Sequence, residues 1–300
     1  MIGEEYRRLR IGFIGAGQLA TPLAWSLSRA GFSVVGAASR SRASAETLAS
    51  GIAQAKAYAT VQALVDDSDL VIVAVPDDAI APVARAAVWR PNHSVVHCSG
   101  ATEVEALAAA AAAGAATGGF HPLQTFTNAD AAIATLPGCT VAIEAEGDLH
   151  AVLWAMAIAL GCSPIRLPAG ARALYHASGS FAASFMVRLM NDALDLWSTF
   201  GISREDAFKA LLPLTKGTVA ALDSNGPVRA LAGPIARADL GTVARHIEGL
   251  RAHAPHLLPV YLDLARRSIA ISEAKGAADT ARLAALEDML DKAQSHKTKS

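Results

Sequence analysis

The chain has 300 residues, 52% of them hydrophobic and 18% charged, which supplies apolar material for two ordinary cores and excludes a disordered chain. Its 26 Lys and Arg against 27 Asp and Glu leave a formal net charge of -1, which excludes the basic footprint of a nucleic-acid binder. The three cysteines, Cys98, Cys139 and Cys162, stand far apart in no metal-ligand or redox spacing, which fits a reducing compartment.

The opening run MIGEEYRRLR leads directly into a β-branched segment without the charged, apolar and small-residue order of a signal peptide. From residue 10 to about 167, short apolar runs alternate with Ala- and Leu-rich helical stretches, the rhythm of a parallel sheet covered on both faces. Strands are expected at residues 10–15, 33–38, 70–75, 94–98, 117–120, 140–143 and 164–167. The Ala-rich stretch near residues 106–116 is broken by Gly114 and is too short to cross a bilayer. The expected location is the cytoplasm.

After Pro168 the strand signals stop and helical periodicity continues to the end. The expected division is therefore a nucleotide-binding domain over 1–167 and an all-helical domain over 168–300. On the first long helix Met186, Leu189, Ala193, Leu196 and Phe200 recur at spacings of three and four, which gives one apolar face to bury. Further helices are expected at about 204–222, 239–253, 255–273 and 277–294, the second of these opening on Asp239, a residue suited to capping. The last residues, SHKTKS, read as a frayed end.

The segment IGFIGAGQLATP places Gly15, Gly17 and Ala20 in the G-x-G-x-x-G/A pattern between an expected strand and an expected helix. The first glycine permits the tight turn, the second lets the backbone approach a diphosphate, and Ala20 allows close helix packing. Together with the βαβ rhythm this predicts a doubly wound Rossmann sheet, with Gly15, Ala16, Gly17, Gln18 and Leu19 forming a dinucleotide phosphate loop. About 20 residues on, where an NAD site presents a carboxylate to the ribose, the chain reads AASRSRAS. Ser39, Arg40 and Arg42 suit a 2′-phosphate, so NADP(H) is favoured over NAD(H). The same arginines also fit a solvated loop. Val75 and Pro76 after one strand and Ser99 after the next are expected to line the cofactor site.

Two clusters offer proton chemistry. In GGFHPLQTF, His121 follows a strand end and can shuttle a proton near neutral pH, or it can serve only to satisfy loop backbone. In ALYHASGSFAASF, Tyr175 and His176 are candidate donors, and His176, Ser180 and Ser184 recur every four residues as if on one helix face; a small-residue face also suits plain helix packing. The histidines lack metal-ligand spacing, and Ser99 in HCSGA lacks the preceding glycine of a hydrolase nucleophile elbow.

Taken in order, GFIGAGQLATP, DLVIVAVPDDAI, VVHCSGA, GGFHPLQTF, the YHA start of a long helix and GPIARAD resemble the Rossmann-like family that carries the domain of unknown function 2520. The resemblance implies an NADP-dependent oxidoreductase of unassigned substrate, with a C-terminal helical dimerisation domain similar to that of 6-phosphogluconate dehydrogenase relatives. Against hydroxyisobutyrate-type dehydrogenases the chain departs plainly, having no Lys between Ala171 and Gly201. The expectation is thus an NADP(H)-dependent dehydrogenase or reductase acting on a small polar metabolite between the domains, with His121 and Tyr175 or His176 moving the proton, and a homodimer formed through the helical domain. An NADP(H)-binding sensor without turnover and a reductase serving a deazaflavin are the alternatives. The sequence holds no sign of a metal, nucleic-acid or membrane partner.

Overall fold

The strand Arg10–Ile14 (β1) reads RIGFI, and all of it but its first residue is buried. In the computed structural model, which describes residues 4–126 and 133–295, β1 lies in an eight-stranded sheet. The others are Ser33–Ala38 (β2), Lys56–Ala57 (β3), Leu70–Val73 (β4), Ser94–His97 (β5), Ala116–Leu123 (β6), Thr140–Glu144 (β7) and Ser163–Arg166 (β8). Their order across the sheet is β3-β2-β1-β4-β5-β6-β7-β8.

Strand β4, LVIV, shows why helices cover both faces. Leu70 and Ile72 point into one apolar cluster with Phe13, Leu23 and Phe120, while Val71 and Val73 point into another with Leu64, Ile80 and Val95. A strand apolar on both faces can bury itself only between two helical layers. The expected α/β class with a Rossmann sheet is therefore correct, with two differences in detail. The sheet is not wholly parallel, because β6 and β7 pair antiparallel, Phe120 opposite Ile143, so β7 and β8 run against the rest. The two-residue edge strand β3, paired to β2, is also additional.

The chain forms two compact units that divide between Ala182 and Ala183. The helix Arg172–Gly179, which the sequence reading assigns to the second domain, thus falls in the first unit. It continues as a π-helical turn over Ser180–Ser184 before the helix Phe185–Ser198. The wider π turn breaks four-residue spacing, so His176, Ser180 and Ser184 do not form the single α-helical face that their spacing suggests.

In the second unit the helices are Phe185–Ser198, Arg204–Ala230, Leu240–His253, Leu258–Lys275 and Thr280–Ser295. Val243, Ile247, Leu250, Leu262, Leu286 and Leu290 build their core. Asp239 caps the third of them as expected, accepting from the Thr242 backbone N–H at 3.1 Å. The second runs past its expected end, with a break at Gly226, where φ is 74°. Among the described residues no helix is long and apolar enough to cross a membrane. The frayed-end reading of residues 296–300 lies outside the described residues.

Candidate functional site

The sequence order of the strands reverses at β1, which has β2 on one side and β4 on the other. Sheets of this class bind ligands at the carboxyl ends of the strands beside such a point. A cavity of about 440 Å³ opens there, lined by Gly15, Ala16 and Gly17 after β1, Ala38, Ser39 and Arg40 after β2, and Ala74, Val75 and Pro76 after β4.

Gly15 has φ 102° and donates its N–H to Ala38 O at 2.9 Å; a side chain there would meet Ala74 O at 2.2 Å. Only glycine fits that turn. Gly17 differs: a Cβ added to it would touch nothing within 4 Å, so its backbone faces open space. The helix Ala20–Arg29 starts beside it with no side-chain cap and no acidic residue in its first turn. A bare helix start next to an unobstructed glycine provides N–H groups and a positive dipole end for an anion.

Beyond β2, Arg40 is exposed and has no hydrogen-bond or ion-pair partner among the described residues, whereas Arg42 is held by Glu46 at 2.8 Å and is absent from the cavity lining. Ser41 caps the helix Arg42–Ser50 by accepting from Ser44 N at 3.2 Å. Ser44 and Thr60, which the sequence reading passes over, do line the cavity. Among the described residues the lining carries no carboxylate. Gln18 and Leu19 follow Gly17 at the helix start without lining the cavity, and Ser99 lies two strands away from β1. The Ser99 hydroxyl accepts from Ala101 N at 3.2 Å and Thr102 N at 2.9 Å, so it shapes its own turn.

The proton-transfer candidates do come together. His121 sits at the carboxyl end of β6, two residues beyond the pairing of His97 with Gly119. Its Nδ1 lies 2.8 Å from the Tyr175 hydroxyl, and its ring stands 6.2 Å from that of His176. Gly100 makes the space, since a Cβ there would lie 2.7 Å from His176 Cδ2 and 2.8 Å from His121 Nε2. Burial pushes His121 down to about 4, with neighbouring His176 and Arg172 adding to the effect. Burial likewise pushes the Tyr175 hydroxyl up to about 12. At neutral pH both groups are uncharged, so the imidazole works there as a neutral hydrogen-bonding group and not as an imidazolium.

Behind them lies Arg172, which the sequence reading misses. It is fully buried, with Nε 2.5 Å from Glu144 Oε2 and Nη1 donating to Ser99 O at 2.7 Å. His97 is also fully buried; its Nδ1 accepts from Ser99 N at 3.2 Å, and burial pushes it down to about 4.

Residues 3–122 match the family model for a Rossmann-like domain, and residues 139–268 match the model described as domain of unknown function 2520. The chain joins a Rossmann-like domain to a DUF2520 domain. Among solved structures it is similar to a "putative NADP oxidoreductase" from Bacteroides fragilis, at 25% identity and TM-score 0.67, covering 89% of this chain and 99% of that one. It is also similar to a reductive aminase from Aspergillus terreus in complex with NADPH and ethyl-5-oxohexanoate, at 17% identity and TM-score 0.61, covering 96% and 94%. A third is a variant imine reductase from Myxococcus stipitatus in complex with NAD+, at 18% identity and TM-score 0.61, covering 93% and 99%. No curated protein matches the chain. The family and two-part fold anticipated from the sequence motifs are thus borne out.

Proposed function

We propose that the chain is an NADP(H)-dependent oxidoreductase acting on a small polar metabolite. The observation that carries the reading is the cavity at the ends of β1, β2 and β4. Among the described residues it combines an open Gly17 backbone and an uncapped helix start with an Arg40 that has no partner, and it has no carboxylate where NAD selection would need one. These residues fit a phosphorylated dinucleotide: Gly15, Ala16, Gly17, Gln18 and Leu19 for the diphosphate, Ser39, Ser44 and Arg40 for the 2′-phosphate, and Val75 with Pro76 for an apolar wall. Arg42, tied to Glu46, contributes charge at a distance.

When bound, such a cofactor would give or take a hydride at its nicotinamide ring. The chain's own part is the proton. Tyr175, held on His121 Nδ1, keeps its hydroxyl proton at neutral pH and can donate it to an oxygen or nitrogen; the tyrosinate so formed regains its proton from water, and neutral His121 orients the hydroxyl. The names of the similar structures support carbonyl compounds and imines as the first substrates to try. The apolar residues Met186, Leu189 and Phe200 are exposed on the single chain, which supports the homodimer as part of this reading.

The test is a titration of the pure chain with NADPH and NADH, followed by NADPH oxidation against a panel of ketones, keto acids and imines, read by the absorbance of the reduced nicotinamide. The expected result is tighter binding of NADPH and turnover with at least one class. Equal binding of both nucleotides would overturn the cofactor assignment, and tight binding without turnover would overturn the enzymatic one.

A further inference from the structure

The helix that carries Tyr175 and His176 begins at Arg172, and spacings of three and four place all three side chains on one helix face. Across that face Arg172 reaches three successive strands. It meets Ser99 O just past β5, Glu144 at the end of β7, and between them lies so close over β6 that a Cβ on Gly119 would come within 1.7 Å of its Nη2. A fully buried, always charged fork with two fixed partners is a rigid joint, and the Tyr175 hydroxyl meets His121 one helical turn further on.

We propose that Arg172 is a positioning residue, clamping its helix to the ends of β5, β6 and β7 so that the Tyr175 hydroxyl is held on His121 Nδ1. The inference rests on the reading of His121 and Tyr175 as the proton-transfer pair. It assigns a role to Arg172, Glu144 and Gly119, which the proposed function leaves without one. Gly119 belongs to the device because any larger residue would displace the guanidinium. The groups facing His121 are Tyr175, His176 and Arg172 from the helix, Asp77 from the start of the helix Asp77–Ala86, and His97 from β5. The buried Arg172 cation acts on His121 in the same sense as burial, against protonation.

The experiment is 15N NMR of labelled imidazoles in the full chain, with the His121 signal assigned by loss in His121→Gln. In the wild type the His121 ring is expected to stay neutral down to about pH 4. Arg172→Lys keeps the charge and loses the fork, and Gly119→Ala keeps Arg172 and pushes it aside. Both are expected to move the Nδ1 resonance to its position in Tyr175→Phe, and to have no further effect in a Tyr175→Phe background. Arg172→Met, if it folds, is expected also to raise the pH at which His121 titrates. A folded Arg172→Lys and a folded Gly119→Ala that melt earlier yet leave the His121 signal unchanged would reduce Arg172 to a packing residue and overturn the inference. NADPH binding by the wild type is measured separately, so failure of the oxidoreductase reading shows there and failure of the clamp shows in the His121 signal.

Discussion

Two glycines two residues apart respond oppositely to one methyl group, and the contrast measures the phosphate loop. In Gly15→Ala the new Cβ must sit 2.2 Å from Ala74 O at φ 102°, so the backbone has to move. Strain of this kind costs about 1–3 kcal/mol, or roughly 2–12 °C in melting temperature for a unit of this size at 2–4 °C per kcal/mol. In Gly17→Ala the methyl meets nothing within 4 Å, so the empty protein should stay within about 0.5 kcal/mol of the wild type. That methyl occupies the space the diphosphate needs, and NADPH affinity should fall by about tenfold or more, equivalent to about 1.4 kcal/mol. Thermal melts and calorimetric titration of both variants make the comparison. A stable Gly17→Ala protein that binds NADPH as the wild type does would refute the placement of the diphosphate.

Arg40→Ala should weaken NADPH by about 1.5–3 kcal/mol, the range of charge-assisted hydrogen bonds, and leave NADH nearly unchanged; Arg42→Ala, already paired to Glu46, should do little to either. Competitive titrations with the two nucleotides separate these outcomes. The buried His97 predicts a pH dependence of stability. The unfolded chain takes up a proton near pH 6.5 that the folded chain refuses until about 4, so stability is complete above pH 6.5 and falls as the pH drops toward 4. At 1.36 kcal/mol per unit the loss approaches about 3 kcal/mol; His121 adds in the same direction, and His97→Asn should flatten the slope in denaturant titrations at stepped pH. The homodimer reading predicts twice the chain's 30.9 kDa in sedimentation, and Leu189→Glu, at an exposed apolar position, should shift the mass toward the monomer.

Much of the cofactor site is legible because its determinants are local. Gly15 and Gly17 lie within one turn, and Ser39 and Arg40 follow one strand end. Arg40 and Arg42 look equivalent in sequence; the helix that starts at Arg42 brings Glu46 onto it one turn later and leaves Arg40 without a partner among the described residues. Arg172 stays invisible because its partners Ser99 and Glu144 lie 73 and 28 residues away in the chain, and only the sheet brings them together. Strand direction is hidden for a related reason: a short apolar run, Val141 to Ile143, marks β7 as a strand but reads the same in either direction, so the reversal between β6 and β7 appears only in their pairing. His176 reads as sharing a face with Ser180 and Ser184 because periodicity assumes an unbroken α-helix, and the π turn violates that assumption.

The central claim is that a phosphorylated nicotinamide dinucleotide lies across the ends of β1, β2 and β4. A crystal of the chain soaked with NADPH tests it most directly. The account predicts the diphosphate against the Gly17 backbone and the 2′-phosphate at Arg40. Density for the nucleotide at any other place, or none in crystals saturated with it, would contradict the account.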